Sequence, residues 1–186
     1  MPKGKKYFED LVSYWKAMPK LGEKLPQKTA FSPMQVYQML PNLFFGERVE
    51  KYNIRLRLMG EAVEAATRDM LPNRNIFDML PEAAWDHAEH YYDKLFGHPC
   101  AGHVTRSMIL ESGLVYDLET ISLPLADASG EARYVVGLAN FLQNRDNSVL
   151  AHRGALGDNP VSLMEYWDLG YGTPPFEESK SIKRVS

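Results

Sequence analysis

The chain has 186 residues, 45% of them apolar and 24% charged, with a net charge of -3. At about 150 residues per domain, that is one domain with an extension. This composition excludes a disordered, collagen-like or coiled-coil chain. Lys3, Lys5 and Lys6 open the chain and Lys180, Lys183 and Arg184 nearly close it. Charges at chain ends are solvated tails, and no folded face gathers enough of them to pair with phosphates, so no nucleic-acid partner is expected. Cys100 is the single cysteine, which rules out an intrachain disulfide and a thiol-rich zinc site. Glu9 and Asp10 fall where a signal peptide needs its apolar stretch. No apolar run approaches about 18 residues, so no membrane partner is expected and the location reads as cytoplasmic.

Residues 6–18 carry Phe8, Leu11, Val12, Trp15 and Met18 at helical spacing, and Pro19 ends the run. Ser32, Pro33 and Gln35 spell a helix start with a capping box, and Phe31 and Val36 are placed as its hydrophobic staple. That helix must stop before Pro41. Residues 43–49 read as a strand. Residues 52–59 read as another, with Ile54, Leu56 and Leu58 on one face and Asn53, Arg55 and Arg57 on the other. Helical spacing returns at 61–69, Pro72 and Asn73 mark a loop, and 75–80 is one helical turn. Pro81 opens a longer helix that Gly97 stops. Three strands follow at 102–110, 115–125 and 133–141, separated by turns at Ser112-Gly113 and Asp127–Gly130. Ser162 and Glu165 suggest a last short helix at 162–169, in a tail made aromatic by Tyr166, Trp167, Tyr171 and Phe176. The element order is that of an α+β antiparallel fold with helices on one face. The expected division is an N-terminal helical extension over 1–42, a core over 43–143, and a C-terminal tail over 144–186 with one short helix.

Several of these stretches together resemble the PAS domain family, in the form of short, nearly stand-alone bacterial proteins. They are Trp15, Pro26 and Pro33, Leu40-Pro41-Asn42-Leu43-Phe44, the strand from Tyr52 to Gly60, and Leu123-Pro124-Leu125 with its following turn and last apolar strand. The resemblance covers 15–141. It implies a five-stranded antiparallel sheet with helices over one face, and a sensory or regulatory role without catalysis. It also implies a small ligand held between sheet and helices, and a homodimer formed through flanking helices, here residues 6–18. The signal would leave through a signalling protein partner.

The cofactor is left unknown. PAS pockets that hold haem take a histidine from the long helix. His90 lies opposite that helix's apolar stripe and His87 at its edge, so haem is disfavoured. Covalent flavin chemistry needs a reactive helical cysteine. Cys100 sits in a loop or strand start and reads as a packing residue, so flavin is disfavoured too. His98, Cys100 and His103 are close in sequence, but three candidates without knuckle spacing make a weak metal site. Asp117 and Glu119 share a strand face and read as solvated acids. No nucleophile elbow, phosphate loop or zinc-protease motif is present. A small cone-shaped α+β enzyme with a buried acid is the remaining catalytic class.

What remains is an apolar layer. Ile54, Leu56 and Leu58 should face Ile76, Phe77, Leu80, Trp85 and Tyr92, with Arg106 and Asn140 supplying polar contacts. Such a set describes a ligand pocket. It equally describes a filled core, in which case the protein is a ligand-free interaction or dimerisation module.

Overall fold

A computed structural model describes residues 3–20, 24–67, 74–109, 115–144 and 161–175. Helix α1 spans Lys3–Ala17. A 3-10 segment over Pro33–Asn42 leads into β1 (Leu43–Glu50) and β2 (Asn53–Met59). Helix α2 (Glu61–Thr67) follows, then a 3-10 turn at Ile76–Met79 and helix α3 (Trp85–Gly97). Strands β3 (Cys100–Ile109), β4 (Val115–Ala126) and β5 (Ala132–Asn144) complete the expected set. A sixth strand, β6 (Val161–Asp168), closes the described part. The sheet order is β2-β1-β5-β4-β3-β6, and every neighbouring pair is antiparallel. The expected loop at Pro72-Asn73, the turn at Ser112-Gly113 and the aromatic Phe176 lie outside the described residues.

Helices cover both faces of this sheet, not one. On one face, Phe8, Leu11, Trp15 and Met18 of the α1 stretch join Leu43, Ile121, Leu123, Leu125, Val136 and Leu138 in a single buried cluster. On the other, Phe77, Tyr91, Tyr92 and Leu95 join Phe44, Ile54, Leu56, Leu118, Val135 and Ala139. Alternation along β5 sorts its residues: Val136 and Leu138 go to the α1 face, Val135 and Ala139 to the α3 face. The apolar stripe of residues 6–18, expected to form a homodimer seam, is spent on the chain's own sheet. Trp15 and Leu11 are fully buried within their own chain, and the residues left exposed are Lys6, Glu9, Ser13, Lys16 and Ala17.

The tail also departs from expectation. The helix expected over 162–169 is strand β6, paired with β3 from Cys100↔Asp168 to Arg106↔Val161. The apolar residues Leu163, Met164, Tyr166 and Trp167 satisfy either period. The open edge of β3 decides between them, because it offers the backbone groups a partner that an isolated turn of helix lacks.

The segment after Ser32 is a 3-10 helix instead of the expected capped α-helix. Val36, at φ -120° and ψ 23°, interrupts it, and the Ser32 side chain makes no cap bond. The Ser32 backbone is used instead: its carbonyl accepts from Gln35 N at 3.1 Å, and its N–H donates to the Tyr14 hydroxyl at 2.7 Å. The segment ends against Gly60, where a Cβ would meet the Leu40 carbonyl oxygen at 1.9 Å. Only glycine allows that approach.

Candidate functional site

The candidate site is the layer between α3 and the sheet. Asn75 fastens one edge of it. Its side-chain oxygen accepts from Ile54 N at 3.1 Å and Phe77 N at 3.3 Å, and its amide donates to Tyr52 O at 3.0 Å. This locks the turn carrying Ile76 and Phe77 onto β2. Trp85 then donates from Nε1 to Leu80 O at 3.2 Å. Its ring lies 5.6 Å from that of Tyr52 and 6.0 Å from that of Phe77. Phe77 meets Tyr92 at 6.1 Å, and Tyr92 meets Tyr91 edge to face at 5.0 Å. These spacings are those of favourable aromatic pairs.

A polar clasp fixes α3 above the β1–β2 turn. The buried Glu89 pairs with Arg48, and its other oxygen accepts from Tyr52 N at 2.9 Å. Arg48 also reaches Asp93 at 2.5 Å, and its guanidinium lies 5.4 Å from the Phe96 ring. Tyr52 adopts a positive φ of 58°, a conformation that non-glycine residues hold only where surrounding bonds enforce it. Glu89 is such a bond, and nothing in its sequence neighbourhood marked it out.

Most of the residues expected at the site come together. Ile54, Leu56, Ile76, Phe77 and Tyr92 are buried in one cluster, and Trp85 packs against it half-buried. Two do not join them. Leu58 is 45% exposed on the far side of a β-bulge. Phe45 pairs with Leu58 and Gly46 with Leu56, so Arg57 is the extra residue and the alternation reverses beyond it. Met59 takes the inward place instead. Asn140 follows Ala139 and so points to the α1 face, opposite its partner Glu119 on β4.

Arg106 does reach the layer. It shares a β3 face with Cys100, Gly102 and Val104, and it is 9% exposed. Burial pushes its guanidinium below its ordinary range, while Tyr92 and Tyr91 oppose that shift. Among the described residues, Arg48, Arg57 and Arg133 each meet a carboxylate, whereas no salt bridge reaches Arg106. Tyr91 is the residue that sequence reasoning left off the site. Its hydroxyl is buried over Gly102, with the Ser122 side chain as its polar neighbour. Burial first, and then the neighbouring Tyr92, hold it well above the usual phenol range. The glycine in mid-strand was the available signal, since it marks close approach by another group.

The remaining sequence candidates separate. His87 and His90 are both exposed, so neither enters the layer. Cys100 is buried on the α3 face, and burial pushes its thiol up to about 12. That is the setting of an inert packing cysteine. His98 faces the Gly172 carbonyl at 3.1 Å, and His103 lies on the α1 face, so the three expected metal candidates diverge. Among the described residues no group of three or more metal-ligating side chains gathers. His103 instead sits between Glu165 at 2.9 Å and Glu119 at 3.0 Å, with its ring 5.9 Å from Phe8 and 5.0 Å from Trp167. Glu119, expected as a solvated acid, is thus committed to a histidine. Among the described residues no helix is long and apolar enough to cross a membrane.

A sequence model of the PAS domain matches residues 5–140. No curated protein matches the chain. Among solved structures, the dark form of the blue-light photoreceptor Aureochrome1 LOV is 17% identical, covering 66% of this chain and 91% of that one at a TM-score of 0.44. Its light-state structure is also 17% identical, covering 66% and 98% at a TM-score of 0.43. A Vibrio cholera VqmA–ligand–DNA complex is 8% identical, covering 58% of this chain and 49% of that one at a TM-score of 0.40.

Proposed function

The chain belongs to the PAS domain family, and from that premise we propose that it is a sensory domain that holds a small ligand between α3 and the sheet. The observation that carries this reading is a buried guanidinium with no counter-charge, and a buried phenol near it, in a largely apolar layer. Arg106 is buried with no salt bridge among the described residues, and the buried Tyr91 hydroxyl has only the Ser122 side chain beside it. Buried polar groups are normally satisfied, and leaving them unsatisfied is costly. An acceptor from outside the chain would meet that need. Apolar walls with a few placed polar groups are the ordinary make-up of small-molecule sites.

The Glu89 clasp supplies a route outward. A ligand that shifts α3 relative to β1 and β2 moves the surface around Arg48 and Tyr52, which a signalling partner can read. This is a non-catalytic role for a protein of the cytoplasm. Native mass spectrometry of protein purified without denaturation tests it. A bound species of a few hundred daltons, released on unfolding, supports the reading. A bare polypeptide mass, with no small molecule from a metabolite library raising the melting temperature, removes it.

The ligand-free module is the second reading. The unbroken ring contacts from Tyr52 through Trp85, Phe77 and Tyr92 to Tyr91 favour it, because they fill much of the layer. The same experiment separates the two.

A further inference from the structure

We propose that the layer between α3 and the sheet selects a small monocarboxylate with an apolar body, and that the Arg106 guanidinium is the carboxylate's partner. This rests on the ligand-binding reading above and names the class of ligand.

Arg106 is the anchor because of what surrounds it. Its side chain is buried beneath Tyr92, beside Val104 and Leu118, and it carries a charge that cannot be given up at ordinary pH. A charge kept in such a place without a counter-charge is a cost, and hydrophobic residues of similar volume commonly serve packing better. The residue therefore marks a position where a negative group arrives. A guanidinium presents parallel N–H donors whose fork matches the two oxygens of a carboxylate.

One cation sets the ligand's charge. A phosphate dianion brings a second negative charge and more acceptor sites, and the described residues of this face offer no second cation to meet them. A single carboxylate balances one guanidinium. The rest of the ligand meets the apolar groups next to Arg106, Tyr92 above it and Val104 and Leu118 beside it, so it is aliphatic or aromatic. The Tyr91 hydroxyl stands on the same face over Gly102, four residues back along β3. It is placed to take a polar substituent at a distance from the carboxylate.

The experiment compares matched acids and amides. Octanoate, octanamide, benzoate and benzamide are titrated into the wild-type protein and into R106M, R106Q and R106K, followed by calorimetry and by melting temperature. The wild type is expected to bind at least one acid tenfold or more tightly than its amide. R106M and R106Q are expected to lose that preference, and R106K to keep part of it. Apo R106M is expected to melt no lower than the wild type, since it removes an unpaired buried charge. Equal binding of acids and amides by the wild type overturns the carboxylate inference and leaves the pocket reading standing. So does an acid preference that survives in R106M or R106Q. If none of the four probes binds and native mass spectrometry finds no retained molecule, both readings fall together.

Discussion

The indole Nε1 of Trp15 donates a hydrogen bond to the Pro124 carbonyl at 2.8 Å, across 109 residues of sequence. The bond has a local cause. Strand β3 pairs with β4 only as far as Gly102↔Ser122, so beyond Ser122 that edge of β4 loses its partner. Proline has no N–H to leave unpaired there, and its carbonyl is taken by the tryptophan. Two residues on, Ala126 N donates to Pro26 O at 2.9 Å, and Gln27 bridges Ala126 in parallel. Three of the separated sequence features that carry the PAS resemblance, at Trp15, Pro26 and Leu123-Pro124-Leu125, thus meet at one seam.

Replacing Trp15 tests that seam. W15F keeps an apolar ring but leaves the Pro124 carbonyl without its donor and leaves unfilled volume, and a loss of about 1–3 kcal/mol is expected. W15A removes a fully buried ring and is expected to cost about 3–5 kcal/mol. Urea unfolding with an unchanged slope reads both values. Equal losses in the two variants would mean that the hydrogen bond dominates and the packing is incidental.

Gly102 and Tyr91 form a coupled pair. A Cβ at position 102 would lie 2.0 Å from the Tyr91 hydroxyl oxygen. G102A is therefore expected to destabilise by about 1–3 kcal/mol through overpacking. Y91F removes a buried hydroxyl whose polar neighbour is Ser122, so its effect is expected to stay within about 1 kcal/mol. The double variant should recover part of the G102A loss. A double-mutant cycle that closes additively would show that the two groups do not touch.

Glu89 fastens α3 to the β1–β2 turn. E89Q weakens its bond to Arg48, which keeps 23% of its side-chain surface in water, so the loss is expected to be about 2 kcal/mol, below that of a fully buried pair. Amide hydrogen exchange checks the location of the effect. Protection of Tyr52 N, which donates to Glu89, should fall more than that of central β4 amides. Uniform loss across the sheet would contradict a local clasp.

Four acids on or beside α3 titrate high, and burial holds Tyr91 highest, well above the usual phenol range. Burial raises Cys100 from 9.0, and Tyr92 and Tyr166 from 10.0, each to about 12. The folded state thus holds these protons more tightly than the unfolded chain does. Their contribution is intact below about pH 9 and is lost as pH rises from there towards 12. The urea midpoint is expected to stay flat up to pH 9 and to fall beyond it. C100A should flatten the first part of that fall. An unaltered profile in C100A would assign the alkaline loss to other groups.

Much of the architecture was legible because strands announce themselves by alternation and turns by glycine and proline. Ile54 and Leu56 were assigned to the inner face correctly on that pattern alone. Leu58 was not, because one extra residue at Arg57 reverses the alternation, and only the register against Phe45 and Gly46 shows it. Asn140 was misplaced for a related reason: which face a residue meets depends on where its neighbours pair, and that is not local. Residues 161–168 became a strand through an edge more than fifty positions earlier in the chain. The burial of Arg106 follows from that same long-range assembly, so its chemistry was visible in the sequence while its isolation was not.

His103 touches Phe8 of the first helix and both Glu165 and Trp167 of the last strand. The first and last described elements, α1 and β6, are thereby moored to one imidazole in the middle of β3, the strand that also bears Arg106 on its reverse side. A loosening of β3 would therefore release α1 and β6 together, since both rest on the same imidazole.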